Sequence, residues 1–194
     1  MITTATIAAD DYRQRFSTGL AAEVLCGACP NFGCCWNCPP FEESPFEKAV
    51  SRHKTPVVVL ALVKTESHTS AAGRACLEEA LRTAAGNTGG TAFGTGGCRL
   101  CNTTDSKESH MQADCARAQG QPCRHPGKAI PSLEACGFNL DATASELLST
   151  TLLWHPDAPA TFIGAVVTEA GRAAEAANII TSFAVDTTRQ PKQR

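Results

Sequence analysis

Nine of the eleven cysteines fall into two short clusters. The first reads Cys26-Gly-Ala-Cys29-Pro-Asn-Phe-Gly-Cys34-Cys35-Trp-Asn-Cys38-Pro-Pro, and the second Cys98-Arg-Leu-Cys101, then Cys115, then Cys123-Arg-His-Pro. A thiolate is a soft ligand, suited to zinc, cuprous copper and iron–sulfur clusters. Thiols this crowded are hard to explain by packing, so the chain reads as a metal protein.

Three chemistries compete for these thiols. Disulfides suit small secreted domains that lack a core, whereas 194 residues bury one comfortably. The cysteine count is odd, and five thiols within 26–38 are too close together to pair sensibly. Structural zinc wants two Cys-x-x-Cys pairs in one tetrahedral site, which Cys26, Cys29, Cys98 and Cys101 would satisfy. That assignment leaves Cys38, Cys115 and Cys123 without a role. Iron–sulfur ligand runs end in Cys-Pro. Here proline follows Cys29 and Cys38, and His125-Pro126 lies just past Cys123. Proline stiffens such a loop, and its ring shields a cluster from water. Cluster binding, with one or two [4Fe–4S] groups, is the preferred reading, and zinc is the alternative.

Composition narrows the function. The length fits one domain, or one domain with an insertion. Hydrophobic content is 43%, and the longest apolar run, 56–63, is far short of the roughly 18 residues of a membrane span. Net charge is −2 with no basic block, which argues against a nucleic-acid partner. The first residues carry no basic leader, and free thiols suit the cytoplasm and a setting low in oxygen.

The elements that must position the thiols follow from periodicity. Tyr12, Phe16, Leu20 and Val24 recur at helical steps, predicting a helix over 10–24 that leads into the first cysteine loop. Ser44-Pro45-Phe46-Glu47 has the form of an N-cap, a first-turn proline and a capping box, with the helix running to about His53. The run 56–63 reads as a buried central strand. Ala72, Cys76, Leu77, Ala80, Leu81 and Ala84 mark a helix over 71–85 closed by Gly86-Asn87. A short strand within 89–97 then enters a glycine loop that delivers Cys98, with backbone free to approach a cluster. The polar stretch 102–122 is expected to loop outward, with one helical turn near 110–117. Ser132 to Ala135 predicts a short helix ended by Gly137, and Asp141 caps a helix over 142–149. Residues 160–168 form a clear strand and 151–154 a weaker one.

These elements make an α+β (or α/β) fold, a single small sheet flanked by helices with the cysteine-rich loops meeting at one end. The domain spans 1–169, and 170–194 is a tail, partly helical or disordered.

Three blocks carry a family likeness: Cys29-Pro-Asn-Phe-Gly with Cys38-Pro-Pro, Gly97-Cys98-Arg-Leu-Cys101, and Pro122-Cys123-Arg-His-Pro126. The stretch 128–137 matches the next block. Over roughly residues 20–169 the chain resembles the cysteine-rich, predicted metal-binding prokaryotic family known as domain of unknown function 2284. The resemblance implies a metal site, expected to be a cluster, and supplies no reaction. The family pattern sets a third cysteine soon after Cys101. Here 102–114 intervene, so Cys115 takes that place by inference.

The candidate ligands are therefore Cys98, Cys101, Cys115 and Cys123 in one set and Cys26, Cys29 and Cys38 in the other. Cys34 or Cys35 could add a fourth thiol to the latter, since adjacent residues point apart. Cys76 and Cys136 read as small buried hydrophobes. His125 could bond a cluster sulfur or shuttle a proton, or simply turn the chain. Glu134 and Ser132 read first as local caps, with Glu134 as an acid–base group the alternative. The glycines at 94, 96 and 97 lack the spacing of a dinucleotide loop.

Three functions fit. One is electron transfer to a redox partner protein. Another is an enzyme whose cluster has three protein thiolates and an iron open to a small-molecule substrate. The third is a zinc-stabilised binding module. Ligand count alone separates them.

Overall fold

The computed structural model describes residues 1–19, 24, 26–29, 32–66, 70–101, 115–153 and 159–183. Four strands form one sheet: β1 (Ile2–Ala8), β2 (Pro56–Thr65), β3 (Thr91–Phe93) and β4 (Ala160–Glu169), in the order β1-β2-β4-β3. Every neighbouring pair is antiparallel, which makes the fold α+β.

The central position expected for 56–63 is borne out, because β2 pairs with β1 on one side and β4 on the other. Its six consecutive buried residues, Val58 to Val63, reflect burial on both faces. Val58, Leu60 and Leu62 join Ile163, Ala165 and Val167 on one face; Val59, Ala61 and Val63 join Val166 on the other. The first face is covered by α1 (Ala9–Phe16), α2 (Pro45–Val50) and α4 (Leu140–Leu148). The second is covered by α3 (Ser70–Thr88) and α5 (Ala173–Ser182). Each fully buried aliphatic side chain contributes about 1.5–3 kcal/mol. The two apolar layers are therefore the main support of the fold. Helix α5 belongs to this support, since Ala176 and Ile180 are fully buried against the second face.

Several boundaries differ from the sequence expectation. Helix α1 stops at Phe16, because Ser17 turns extended and bridges to Phe138. Tyr12 and Phe16 are buried as expected, but Val24 is 72% exposed, and Leu20 lies outside the described residues. Helix α2 begins as expected, with Ser44 Oγ accepting from the Glu47 amide at 3.4 Å, and ends at Val50. Helix α3 runs through Gly86 and Asn87 to Thr88, whose hydroxyl donates to the Ala84 carbonyl at 2.8 Å; Gly89, at φ +66°, ends it. The cap of α4 is Asn139, not Asp141: its side chain accepts from the Ala142 amide at 3.0 Å. Residues 151–153 are not a strand, and Trp154 lies outside the described residues, as does 102–114. The expected helical turn near 110–117 falls partly there; a 3-10 turn occupies Ala116–Gln119.

An aromatic cluster fixes the segments that frame the cysteines. Phe46 meets Phe138 edge-on at 4.5 Å between ring centres and Phe93 at 5.9 Å, while Tyr12 meets Phe138 at 4.6 Å. These rings sit just after Pro45, just after Gly137 and just before Gly94, so three site segments leave one rigid support. Gly164 is required nearby: a Cβ there would lie 2.4 Å from Leu81 and 2.6 Å from the Phe93 carbonyl oxygen.

Candidate metal centre

The second cysteine loop leaves β3 at the edge of the sheet, and several points of its backbone from Gly94 to Cys98 are tied down. Gly94 bridges to Ser132 and donates its amide to the Pro131 carbonyl at 2.8 Å. The Gly96 amide donates to Glu134 Oε1 at 2.8 Å. Arg74, 8% exposed on α3, pairs with Glu78 at 2.9 Å and donates to the Gly97 carbonyl. These bonds occupy the Gly94 and Gly96 amides and the Gly97 carbonyl.

The first loop is joined to the second by Asn37, which is 2% exposed. Its Oδ1 accepts from the Cys98 amide at 3.0 Å, and its Nδ2 donates to the Gly96 carbonyl at 3.1 Å. Arg117, on the 3-10 turn after Cys115, supplies the other tie. It donates to the carbonyls of Cys35, at 2.6 Å, and of Cys38 and Pro40, and it stacks 5.2 Å above the Trp36 ring. The Trp36 indole donates to the Gln121 carbonyl at 3.2 Å. Sequence reading missed both Asn37 and Arg117, because neither type is a metal ligand and their partners are remote in sequence.

The thiols gather accordingly. Cys115 and Cys35 are buried; Cys26, Cys38, Cys98, Cys101 and Cys123 are half-buried; Cys29 is exposed. Cys98 lies within electrostatic range of Cys115, Cys101 and Cys123, and Cys26 of Cys29 and Cys38. Cys35 lies within electrostatic range of Cys38, Cys115 and Cys98. Burial holds the Cys26 and Cys98 thiols above the ordinary range. The Cys35 thiol donates to Cys38, which raises Cys35 and lowers Cys38. Among the described residues, no three Cys, His, Asp or Glu side chains converge on one point at ligand distance.

Sulfurs also receive amide donors. The His125 amide lies 3.4 Å from Cys123 Sγ, and the Leu100 amide donates to Cys98. Thus His125 meets the sulfur through its backbone, and its carbonyl closes a turn with the Lys128 amide at 3.1 Å. Ser132 acts as a cap, accepting from the Ala135 amide at 3.3 Å, and the Glu134 carboxyl takes local hydrogen bonds from its own amide and from Ser132. The carboxylate also crosses to Gly96, and among the described residues its buried Oε2 has no hydrogen-bond partner. Burial raises its pKa. Cys76 is half-buried against the α3–α5 layer, and Cys136 is pushed up to about 12 by burial, consistent with packed thiols.

A cavity of about 540 Å³ opens beside the first loop, walled by Cys26, Phe32, Pro40, Phe41, Cys136 and Ser44. The donor set around the loops is almost wholly thiol, which fits a soft metal or an iron–sulfur cluster and does not fit magnesium or calcium.

A family model described as predicted metal-binding protein, DUF2284, matches residues 21–167. The chain belongs to this family. It is thus a predicted metal-binding protein by descent as well as by its thiols. No curated protein and no solved structure matches it. Among the described residues, no helix is long and apolar enough to cross a membrane.

Proposed function

We propose that this DUF2284 protein holds one or two [4Fe–4S] clusters on its paired cysteine loops and exchanges electrons with a partner protein in the cytoplasm. The observation that carries the reading is the pairing of the two thiol loops through Asn37, with backbone amides donated to Cys98 and Cys123. Amide donors to sulfur and nearby cations stabilise the negative charge of thiolate clusters and tune their potential. Cys98, Cys101, Cys115 and Cys123 would hold one cluster; Cys26, Cys29 and Cys38 would serve the other. When bound, such a group supplies one-electron chemistry. The chain supplies the rest: Arg117 and Asn37 set the loop geometry, Arg74 offsets charge, and Pro39 and Pro40 limit water.

A second reading, an enzyme with a three-thiolate cluster, is favoured by the cavity at Cys26, which is within the size range of small-molecule sites. There the ring and proline faces would bind and orient a small substrate and exclude water.

Iron, zinc and acid-labile sulfide analysis of anaerobically purified protein tests the proposal. The expected result is brown protein with about 4 Fe and 4 S per cluster. Colourless protein with stoichiometric zinc would replace it with a zinc-stabilised binding module.

A further inference from the structure

We infer that the cavity beside the first cysteine loop binds an uncharged, mainly apolar small molecule; this rests on the second reading, that a small substrate enters at Cys26, and names its class. Among the described residues that wall the cavity, none carries a charged side chain. Phe32, Phe41, Pro39, Pro40 and Pro45 supply ring and proline faces, while Ser17 and Ser44 supply hydroxyls for one polar group. A volume of about 540 Å³ holds a compact organic molecule. A charged group brought into this space would lose water and meet no counter-ion in the walls. The cations on the two helices that adjoin Ser17 and Ser44 are already paired: Arg13 with Glu47 at 2.7 Å, Arg15 with Glu146 at 2.9 Å and Lys48 with Glu43 at 3.7 Å.

Backbone ties fix the walls in advance. The Thr18 amide and hydroxyl both donate to the Gly137 carbonyl, each at 2.8 Å, which clamps the chain after α1 to the segment 135–137. The Gly33 amide donates to the Pro39 carbonyl at 2.8 Å, so the parts of the first loop that carry Phe32 and the two prolines close on each other. Ser44 caps α2, and Phe46 anchors that helix in the aromatic cluster. A preformed space of this kind costs little ordering when a ligand enters. Cys26 in the same wall brings the first thiol set to whatever is held there.

The test uses the full chain, purified anaerobically, and three probes of one shape: para-fluorobenzyl alcohol, para-fluorobenzoate and para-fluorobenzylammonium. Fluorine NMR should show saturable binding of the alcohol, about tenfold tighter than either charged probe. Phe32 is 40% exposed and belongs to neither apolar layer, so it can be replaced without opening the core. Phe32→Lys puts a cation in the wall and should reverse the order of the alcohol and the benzoate. Leu153→Lys, at an exposed apolar residue outside the wall, should change neither. Equal binding of the three probes, no saturable binding, or the parent order kept in folded Phe32→Lys would overturn the assignment.

If Phe32→Lys fails to fold, alkylation of the parent protein decides the matter. At ten times its dissociation constant the alcohol should slow alkylation of Cys136, in the wall, about tenfold and leave that of Cys76 unchanged. Equal slowing of both thiols, or of neither, overturns the inference. Iron, zinc and sulfide contents judge the cluster reading separately. Zinc-bound protein that binds the alcohol keeps this inference and discards the open iron; cluster-bearing protein that does not bind it keeps the cluster and discards this inference.

Discussion

The first cysteine loop, 26–38, lies outside both apolar layers, and side chains from elsewhere grip its backbone. The second grows directly from β3 and is laced to 131–134, a segment that Leu133 and Phe138 anchor in the core. One loop is therefore positioned by the sheet; the other is held by Arg117 from the second cysteine block and by its own Asn37, which reaches the second loop. The difference teaches that the first site cannot keep its shape alone. Its geometry depends on a residue from the second cysteine block, so the two should form and fail together.

The sharpest way to break this dependence is Arg117→Ala, which removes three carbonyl hydrogen bonds and the Trp36 contact at once. Its loss should cost about 2–4 kcal/mol and reduce bound metal, read by thermal unfolding and metal analysis. Lysine, a point charge without the planar fork, should restore only part. Unchanged stability and metal in Arg117→Ala would show that the first loop holds itself.

Asn37→Ala cuts the direct link between loops and leaves the Cys98 amide unpaired, at a cost of about 1–3 kcal/mol. Metal should fall in both loops, because Gly96 and Cys98 lose their common partner. A loss confined to one set of cysteines would separate the sites.

Glu134→Gln probes the second loop by pH. Burial raises the folded pKa of Glu134 above its unfolded value, so its contribution to stability is fully present below the ordinary carboxyl range. That contribution is lost as pH climbs through the raised value. Metal-free parent protein should therefore lose stability as pH rises above that range, while Glu134→Gln should show a flatter profile in denaturant unfolding. Parallel profiles would mean that the carboxyl is not held neutral.

The smallest effect belongs to Cys76→Ala, which alters the α3–α5 layer and removes none of the hydrogen bonds that hold either loop. It should keep full metal content and cost about 1 kcal/mol or less. Loss of metal there, with retention in Cys123→Ala, would reverse the ligand assignment.

What the sequence determined by itself is local or periodic. The soft donor set, the two-faced burial of β2, the cap at Ser44 and the short turn ended by Gly137 all follow from neighbouring residues. The end of α1 was not legible, since the apolar step from Phe16 to Val24 continues while the backbone turns at Ser17 to pair with Phe138, 121 residues away in the chain. Nor did the sequence show which of Cys34 and Cys35 faces inward, that Glu134 reaches Gly96, or that Arg117 grips carbonyls 77 to 82 residues earlier. Those facts depend on hydrogen bonds between segments with no shared periodicity. Only the folded sheet brings them within reach of each other.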